Sequence, residues 1–153
     1  MNVGLDFLPG SLAYDAGAAS LLTPERAADI VWLDALMLNV DRTPRNPNLL
    51  VWHGQVWLID HGAALYVQHG SDDLPAEAGR RFAQVRDHVL LPRAASIAEA
   101  DARLVERVPD LDALVGLVPE AWIGDPRPYV EFLRARLDGP RGFAEEAEAA
   151  RVA

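Results

Sequence analysis

Between Thr23 and Asn39 the apolar residues Ala27, Ile30, Val31, Leu33, Ala35, Leu36, Met37 and Leu38 spread over most of a helix surface rather than one stripe. That distribution predicts a buried helix. Thr23 is a residue type that caps helix N-termini, Pro24 suits the first helical position and Glu25 the first turn, so the helix is predicted to start there and to end near Asn39. The apolar rhythm then stops. "VDRTPRNPN", residues 40–48, is polar and stiffened by Pro44 and Pro47, and reads as a loop. Next come "NLLVW" and "QVWLI", two runs of branched and aromatic residues separated by His53-Gly54, which predict a β-hairpin over 48–60. From Pro75 the chain reads as helical, with helices predicted at 76–91, 96–107, 110–117, 127–138 and 140–150 and breaks near Pro92, Pro109, Pro119, Gly124 to Pro128, and Gly139-Pro140. Residues 1–22, with Gly4, Pro9, Gly10 and Gly17 among scattered apolar positions, read as an irregular, turn-rich connection.

The expected class is therefore α+β, mainly α-helical, with one short antiparallel hairpin. A chain of 153 residues, half of them hydrophobic, fits one domain that buries roughly two thirds of its unfolded surface without disulfides or metals. It has no cysteine, which removes disulfides, thiolate catalysis and cysteine-based zinc sites. No run approaches the roughly 20 apolar residues of a membrane span, and the N-terminus has no basic segment followed by an apolar one. A soluble, cytoplasmic protein is expected. The net charge of −9 argues against a nucleic-acid backbone as the main partner. All 14 basic residues are arginine.

Candidate chemistry collects around the loop and the hairpin. Asp60 stands at the end of the second strand, before His61 and Gly62, and the short hairpin folds it back beside Asp41 and Asn46. Magnesium takes hard oxygen ligands, usually one or two carboxylates with waters and substrate phosphates, and Asp60 and Asn46 suit it. Asp41 is then placed to accept the proton of an incoming hydroxyl or to orient it for phosphoryl transfer, and Arg42 either to neutralise transferred charge or to pin the loop. The plainer reading is that Asp and Asn are common turn residues and that "DHG" after a strand is a turn signal. What separates the two is that both motifs occur in order, joined by a hairpin, after a buried helix. Asn48 either buttresses the loop or caps a turn. His61 is the one histidine with a functional address, beside the metal position; His53 reads as a turn residue, and His69 and His88 as surface or helix-packing residues. Trp32, Trp52, Trp57 and Trp122 read as core, and Arg80, Arg81 and Arg86 as a solvated helix face with phosphate contact as the alternative.

"LNVDRTPRNPNLLVWHGQVWLIDHGAAL", residues 38–65, resembles the catalytic core of HipA-like kinases, relatives in outline of protein kinases and phosphoinositide kinases. The family's Asp-Arg-(His/Thr)-x-x-Asn loop matches Asp41, Arg42, Thr43 and Asn46, and Ile59-Asp60-His61-Gly62 stands where protein kinases have Asp-Phe-Gly. The resemblance implies that Asp41 and Arg42 are catalytic, that Asn46 and Asp60 hold Mg2+, that Asn46, Asn48 and His61 lie at the ATP side, and that ATP is the phosphoryl donor to a protein Ser/Thr hydroxyl. "YVEFLRARLDGPRGF", residues 129–143, is similar to the same family's C-terminal end. Two departures are equally informative. The chain has no G-x-G-x-x-G loop and no lysine, so the ATP-anchoring parts of a kinase N-lobe have no counterpart. The resemblance thus implies a C-lobe alone: a hinge-like segment over 1–22, and a kinase C-lobe-like domain over 23–153 with its catalytic loop at 39–48. An N-lobe partner or self-association would be needed for activity; the alternative is a catalytically inactive remnant or regulatory module. The apolar positions of "VGLDFLPGSLAY", residues 3–14, are candidates for the face where an N-lobe packs.

Overall fold

The chain folds into a mainly helical α+β structure in which a three-stranded antiparallel sheet flanks a set of helices. The computed structural model describes residues 7–71 and 73–153; the part of the hinge-like segment that falls on residues 1–6 lies outside them. Helix α1 (Pro24–Leu36) starts as its sequence predicts: Thr23 Oγ1 accepts from the Arg26 N–H at 3.2 Å, with Pro24 in the first turn. Its buried residues, among them Ala28, Val31, Trp32 and Ala35, lie on several sides because α1 packs against both α2 (Ile97–Leu104) and α6 (Gly142–Val152).

The end of α1 is less ordinary. Leu38 takes a left-handed conformation with φ 54°, while the Asn39 N–H reaches back to the Asp34 carbonyl at 2.8 Å and the Leu38 N–H to Ala35 at 3.4 Å. This is a Schellman termination, in which glycine usually takes the left-handed position. A leucine there costs roughly 1 kcal/mol, which is offset by complete burial of its side chain.

Strands β2 (Leu49–Trp52) and β3 (Gln55–Leu58) form the predicted hairpin in the register Leu49–Leu58 to Trp52–Gln55. The turn residues His53 and Gly54 have φ 50° and 72°, the doubly left-handed form that matches strand twist in two-residue hairpins. Gly54→Ala is therefore expected to lower stability by about 1 kcal/mol in denaturant unfolding. Open space surrounds the position, so the cost is conformational; an unchanged midpoint would contradict it. The N-terminal segment also contributes to the sheet, against the expectation of irregular chain. Strand β1 (Leu12–Ala13) pairs with β2, and the Tyr14 N–H extends the pairing to the Leu49 carbonyl at 3.1 Å.

The helices after residue 95 follow the prediction, with one further single turn between Pro119 and Gly124 that the sequence does not announce. Besides α2 and α6 they are α3 (Leu111–Val115), the single-turn α4 (Glu120–Ile123) and α5 (Arg127–Asp138). Residues 76–91 do not form the expected helix. They fold as short 3-10 turns at Pro75–Gly79 and Ala83–Asp87, followed by another at Leu91–Arg93. The reason is competition for the backbone. The Glu146 carboxylate takes the Phe82 N–H at 2.6 Å, His88 Nδ1 that of Leu90, and the Arg42 carbonyl that of Val89, while Arg136 donates to the Ala78 and Arg80 carbonyls. Apart from the local Leu90–His88 bond, groups that a helix would pair internally are paired to distant parts of the chain, and propensity yields. Of the four tryptophans only Trp32 is core, with its indole N–H on Asp101 at 2.7 Å and its ring edge-on to Phe143; Trp57 and Trp122 are exposed. Among the described residues no helix is long and apolar enough to cross a membrane.

Candidate phosphotransfer site

The loop after α1 is tied at one point to the core and at the other to the hairpin. Thr43 and Asn46 exchange backbone hydrogen bonds at 3.0 and 3.1 Å, closing a turn with Pro44 in the second position, where its fixed φ is favourable. That turn directs the Asn46 side chain back over the loop, and its Nδ2 donates to Asp41 Oδ2 at 2.8 Å. Asn48, in the left-handed conformation that asparagine tolerates, donates to the same oxygen at 3.2 Å and to the Asp60 carbonyl at 3.4 Å. Asp41 is thus held by two amide donors on one carboxylate oxygen, and Oδ1 is the oxygen those amides leave open.

The Asp60 main chain lies beside the loop, its carbonyl 3.4 Å from Asn48 Nδ2. The Ile59 N–H donates to the Asn48 carbonyl at 3.0 Å, so the pairing of the hairpin continues to the edge of the site. Asp60 itself is exposed, with φ 49°, and its Oδ1 accepts from the Gly62 N–H at 3.3 Å. The chain beyond it is stitched to the end of α1, the Leu65 N–H meeting the Met37 carbonyl at 2.7 Å.

Arg42 takes the loop-pinning role. Its side chain is fully buried; Nε donates to Asp34 Oδ2 at 2.5 Å, Nη2 to Asp34 Oδ1 at 3.4 Å, and Nη1 to the carbonyls of Asn48 and Ile59. One guanidinium therefore joins α1, the loop and the end of β3. A group so enclosed positions its neighbours and has no donor directed to a substrate through solvent. His61 is exposed, with Nδ1 3.5 Å from Arg42 Nη2, so it touches the pinning residue.

The sequence reading missed the centre of this arrangement, which is Asp34. At 1% exposure its carboxylate accepts from Arg42, from Asn39 Nδ2 at 2.9 Å and from His88 Nε2 at 2.9 Å. The His88 tautomer follows from geometry: Nδ1 accepts the Leu90 N–H at 3.0 Å, so Nε2 carries the hydrogen. Asn39 in turn accepts the Asp41 N–H through Oδ1 at 3.2 Å, which links the buried carboxylate to the backbone of the proposed catalytic residue. Burial acts to raise the Asp34 pKa, but the hydrogen bond from His88 and then the hydrogen bond and charge of Arg42 outweigh it and hold the carboxyl below its ordinary range. One signal was visible beforehand: Asp34 is the lone charge in the apolar run "IVWLDALML", residues 30–38.

The donor set can be matched to a divalent cation. Among the described residues no three of His, Cys, Asp and Glu gather in a way that could hold a metal, so the site offers at most the carboxylates of Asp41 and Asp60. With Asn46 Nδ2 committed to Asp41, its Oδ1 is the acceptor left over. In ligand type, the Asp60 carboxylate and the Asn46 amide oxygen suit a magnesium that keeps most of its waters. Compared with protein-family models, curated proteins and solved structures, the chain matches none.

Proposed function

We propose that the chain is the C-lobe of a HipA-like kinase, carrying the acceptor side and metal side of an ATP-dependent phosphoryl transfer to a protein Ser/Thr hydroxyl. The supporting observation is the pair of amides, Asn46 and Asn48, that hold Asp41, with Asn48 also bonded to the Asp60 main-chain carbonyl, in a loop locked to the core through Arg42 and Asp34. Asp41 would take the hydroxyl proton as that oxygen attacks the γ-phosphorus and the bond to the ADP oxygen breaks, with the two amides fixing its orientation. Asn46 and Asp60 would hold magnesium, which when bound neutralises phosphate charge. Two carboxylates in a protein of net charge −9 repel a nucleotide that arrives without its metal. Residues of the loop and its surroundings in left-handed conformations, Leu38, Asn48, Asp60 and Leu65, fit the tendency of strained backbone to gather at functional positions. Phe7 and Leu12 are 86% and 68% exposed, which suits a face completed by an N-lobe or by self-association.

A second reading, a regulatory module that keeps this geometry without catalysis, is favoured by the absence of any lysine, since nothing here replaces the N-lobe grip on the β- and γ-phosphates. Calorimetry and a phosphotransfer assay test both. The chain alone is expected to bind nucleotide weakly and only with magnesium, to lose about tenfold more on Asp60→Asn, and to transfer little phosphate until an N-lobe is supplied. Equal binding with and without magnesium would remove the metal role. Activity that appears with an N-lobe and vanishes in Asp41→Ala establishes the kinase reading; metal-dependent binding with no transfer in either form selects the regulatory one.

A further inference from the structure

Between the C-terminal part of α5, the start of α6 and the Pro75–Gly79 turn lies a cavity of about 250 Å3 lined by Arg80, Arg81, Arg136 and Arg141. None of its lining residues belongs to the loop or hairpin of the proposed kinase site. In a chain of net charge −9, four arginines on one small cavity are a local concentration of positive charge. The lining carries one carboxylate, Glu145, which meets Arg81 at 3.9 Å with both side chains about two-thirds exposed, a contact that solvent largely screens. Arg80 and Arg141 pair with Glu77 and Asp101, which lie outside the lining.

Arg136 is the residue that points to a ligand. It is 2% exposed, and among the described residues it forms no ion pair. Its donors go instead to the carbonyls of Leu36, Ala35, Ala78 and Arg80 at 2.9 to 3.0 Å, which accounts for four of a guanidinium's five N–H groups. Burial lowers its pKa to about 10, so at neutral pH it remains a buried cation, stabilised by carbonyl dipoles but with no carboxylate partner among the described residues, and a nearby anion adds the missing counter-charge. The cavity also holds the start of the 11-residue α6. Its first residues Gly142 and Phe143 are part of the lining, and no side chain caps it because Arg141 at the cap position is itself left-handed, with φ 48°. Helix N-termini attract anions through these amides. A Cβ placed on Gly79 or Gly142 would meet nothing within 4 Å, so a ligand can approach the backbone at both.

We infer that this cavity binds a phosphate-class oxyanion, either free phosphate or a phosphomonoester, with Arg136 and the α6 amides as its floor and the exposed Arg80 and Arg81 as the donors at its rim. Planar guanidinium forks match a phosphate's several acceptor oxygens. The volume lies below the range typical of sites for drug-sized ligands, which fits a phosphate group with little attached.

The test is calorimetry and thermal unfolding of the full chain with inorganic phosphate, phosphoserine and, at matched ionic strength, sodium chloride. Phosphate is expected to bind and to raise Tm beyond chloride. Arg80→Gln/Arg81→Gln is expected to weaken binding about tenfold, while Arg86→Gln, a charge change outside the lining, binds as the native chain does. Phosphoserine binding tighter than phosphate identifies a phosphomonoester as the ligand, and the reverse identifies the free ion. A phosphate effect no larger than that of chloride, undiminished binding in the double variant, or an equal loss in Arg86→Gln would each overturn the assignment.

Discussion

Asp34→Ala is expected to lower the free energy of unfolding by about 3 to 5 kcal/mol, the cost of breaking a buried ion pair from one side. For a domain of this size that is a large share of the total. The loss follows from what remains behind. Arg42, buried with its side chain shut off from solvent, would keep its charge and lose the carboxylate it pairs with; His88 Nε2 and Asn39 Nδ2 would lose their acceptor in the core. Alanine supplies nothing to any of the three. A double-mutant cycle separates this from simple loss of packing, since Arg42→Met on the Asp34→Ala background should cost less than it does alone, with coupling of about 1 to 3 kcal/mol. Additive effects would mean the two residues do not act as a pair.

The same carboxylate gives the stability a pH dependence with a definite sign. Its folded pKa is depressed, so the native state prefers the ionised form more strongly than the unfolded chain does. The contribution is complete above the unfolded value, about 3.9, and is lost as pH falls from there through the folded value. Urea unfolding of the native protein should therefore lose stability over that acid range more steeply than Asp34→Ala does. Parallel curves would show that Asp34 is not the group responsible.

Legibility in the sequence followed the range of the interactions involved. The start of α1, the His53-Gly54 turn and helix α5 are set by residues within a few positions of one another, and Thr23, Gly54 and the apolar spacing of 127–138 announce them. The Asp41 and Asn46 spacing belongs to the same class, because a turn of four residues closed by Thr43 and Asn46 is enough to bring the two side chains together. Residues 76–91 belong to the opposite class. Their outcome depends on Glu146 and Arg136, which lie 56 to 64 positions away, and no local pattern encodes partners that distant. Strand β1 escaped for a different reason, since two residues carry no period at all. His88 was read as a surface or packing histidine because its ring has meaning only beside Asp34, 54 positions earlier.

Arg136→Met should be as damaging as the loss of Asp34, about 4 kcal/mol or more, although among the described residues it removes no ion pair. Methionine fills similar volume and continues the helix, so neither a large cavity nor poor propensity is introduced. What disappears is a donor array. The Ala35 and Leu36 carbonyls belong to the last turn of α1, where intrahelical donors run out, and those of Ala78 and Arg80 belong to a stretch that has given up helical pairing. The Ala35 carbonyl keeps the Leu38 N–H, but those of Leu36, Ala78 and Arg80 lose this donor, at about 1 to 3 kcal/mol for a carbonyl that is fully buried, and the guanidinium's position 4.8 Å from the Phe143 ring centroid and 5.5 Å from that of Phe132 adds a smaller cation–π loss. Arg136→Lys keeps the charge but replaces a planar fork by a single ammonium, which cannot reach carbonyls on two separate segments at once. Most of the destabilisation should therefore persist in the lysine variant. Denaturant unfolding of the three proteins decides between the alternatives: a lysine variant close to the native chain would assign the residue's role to charge, whereas a lysine variant close to the methionine one assigns it to the geometry of its donors.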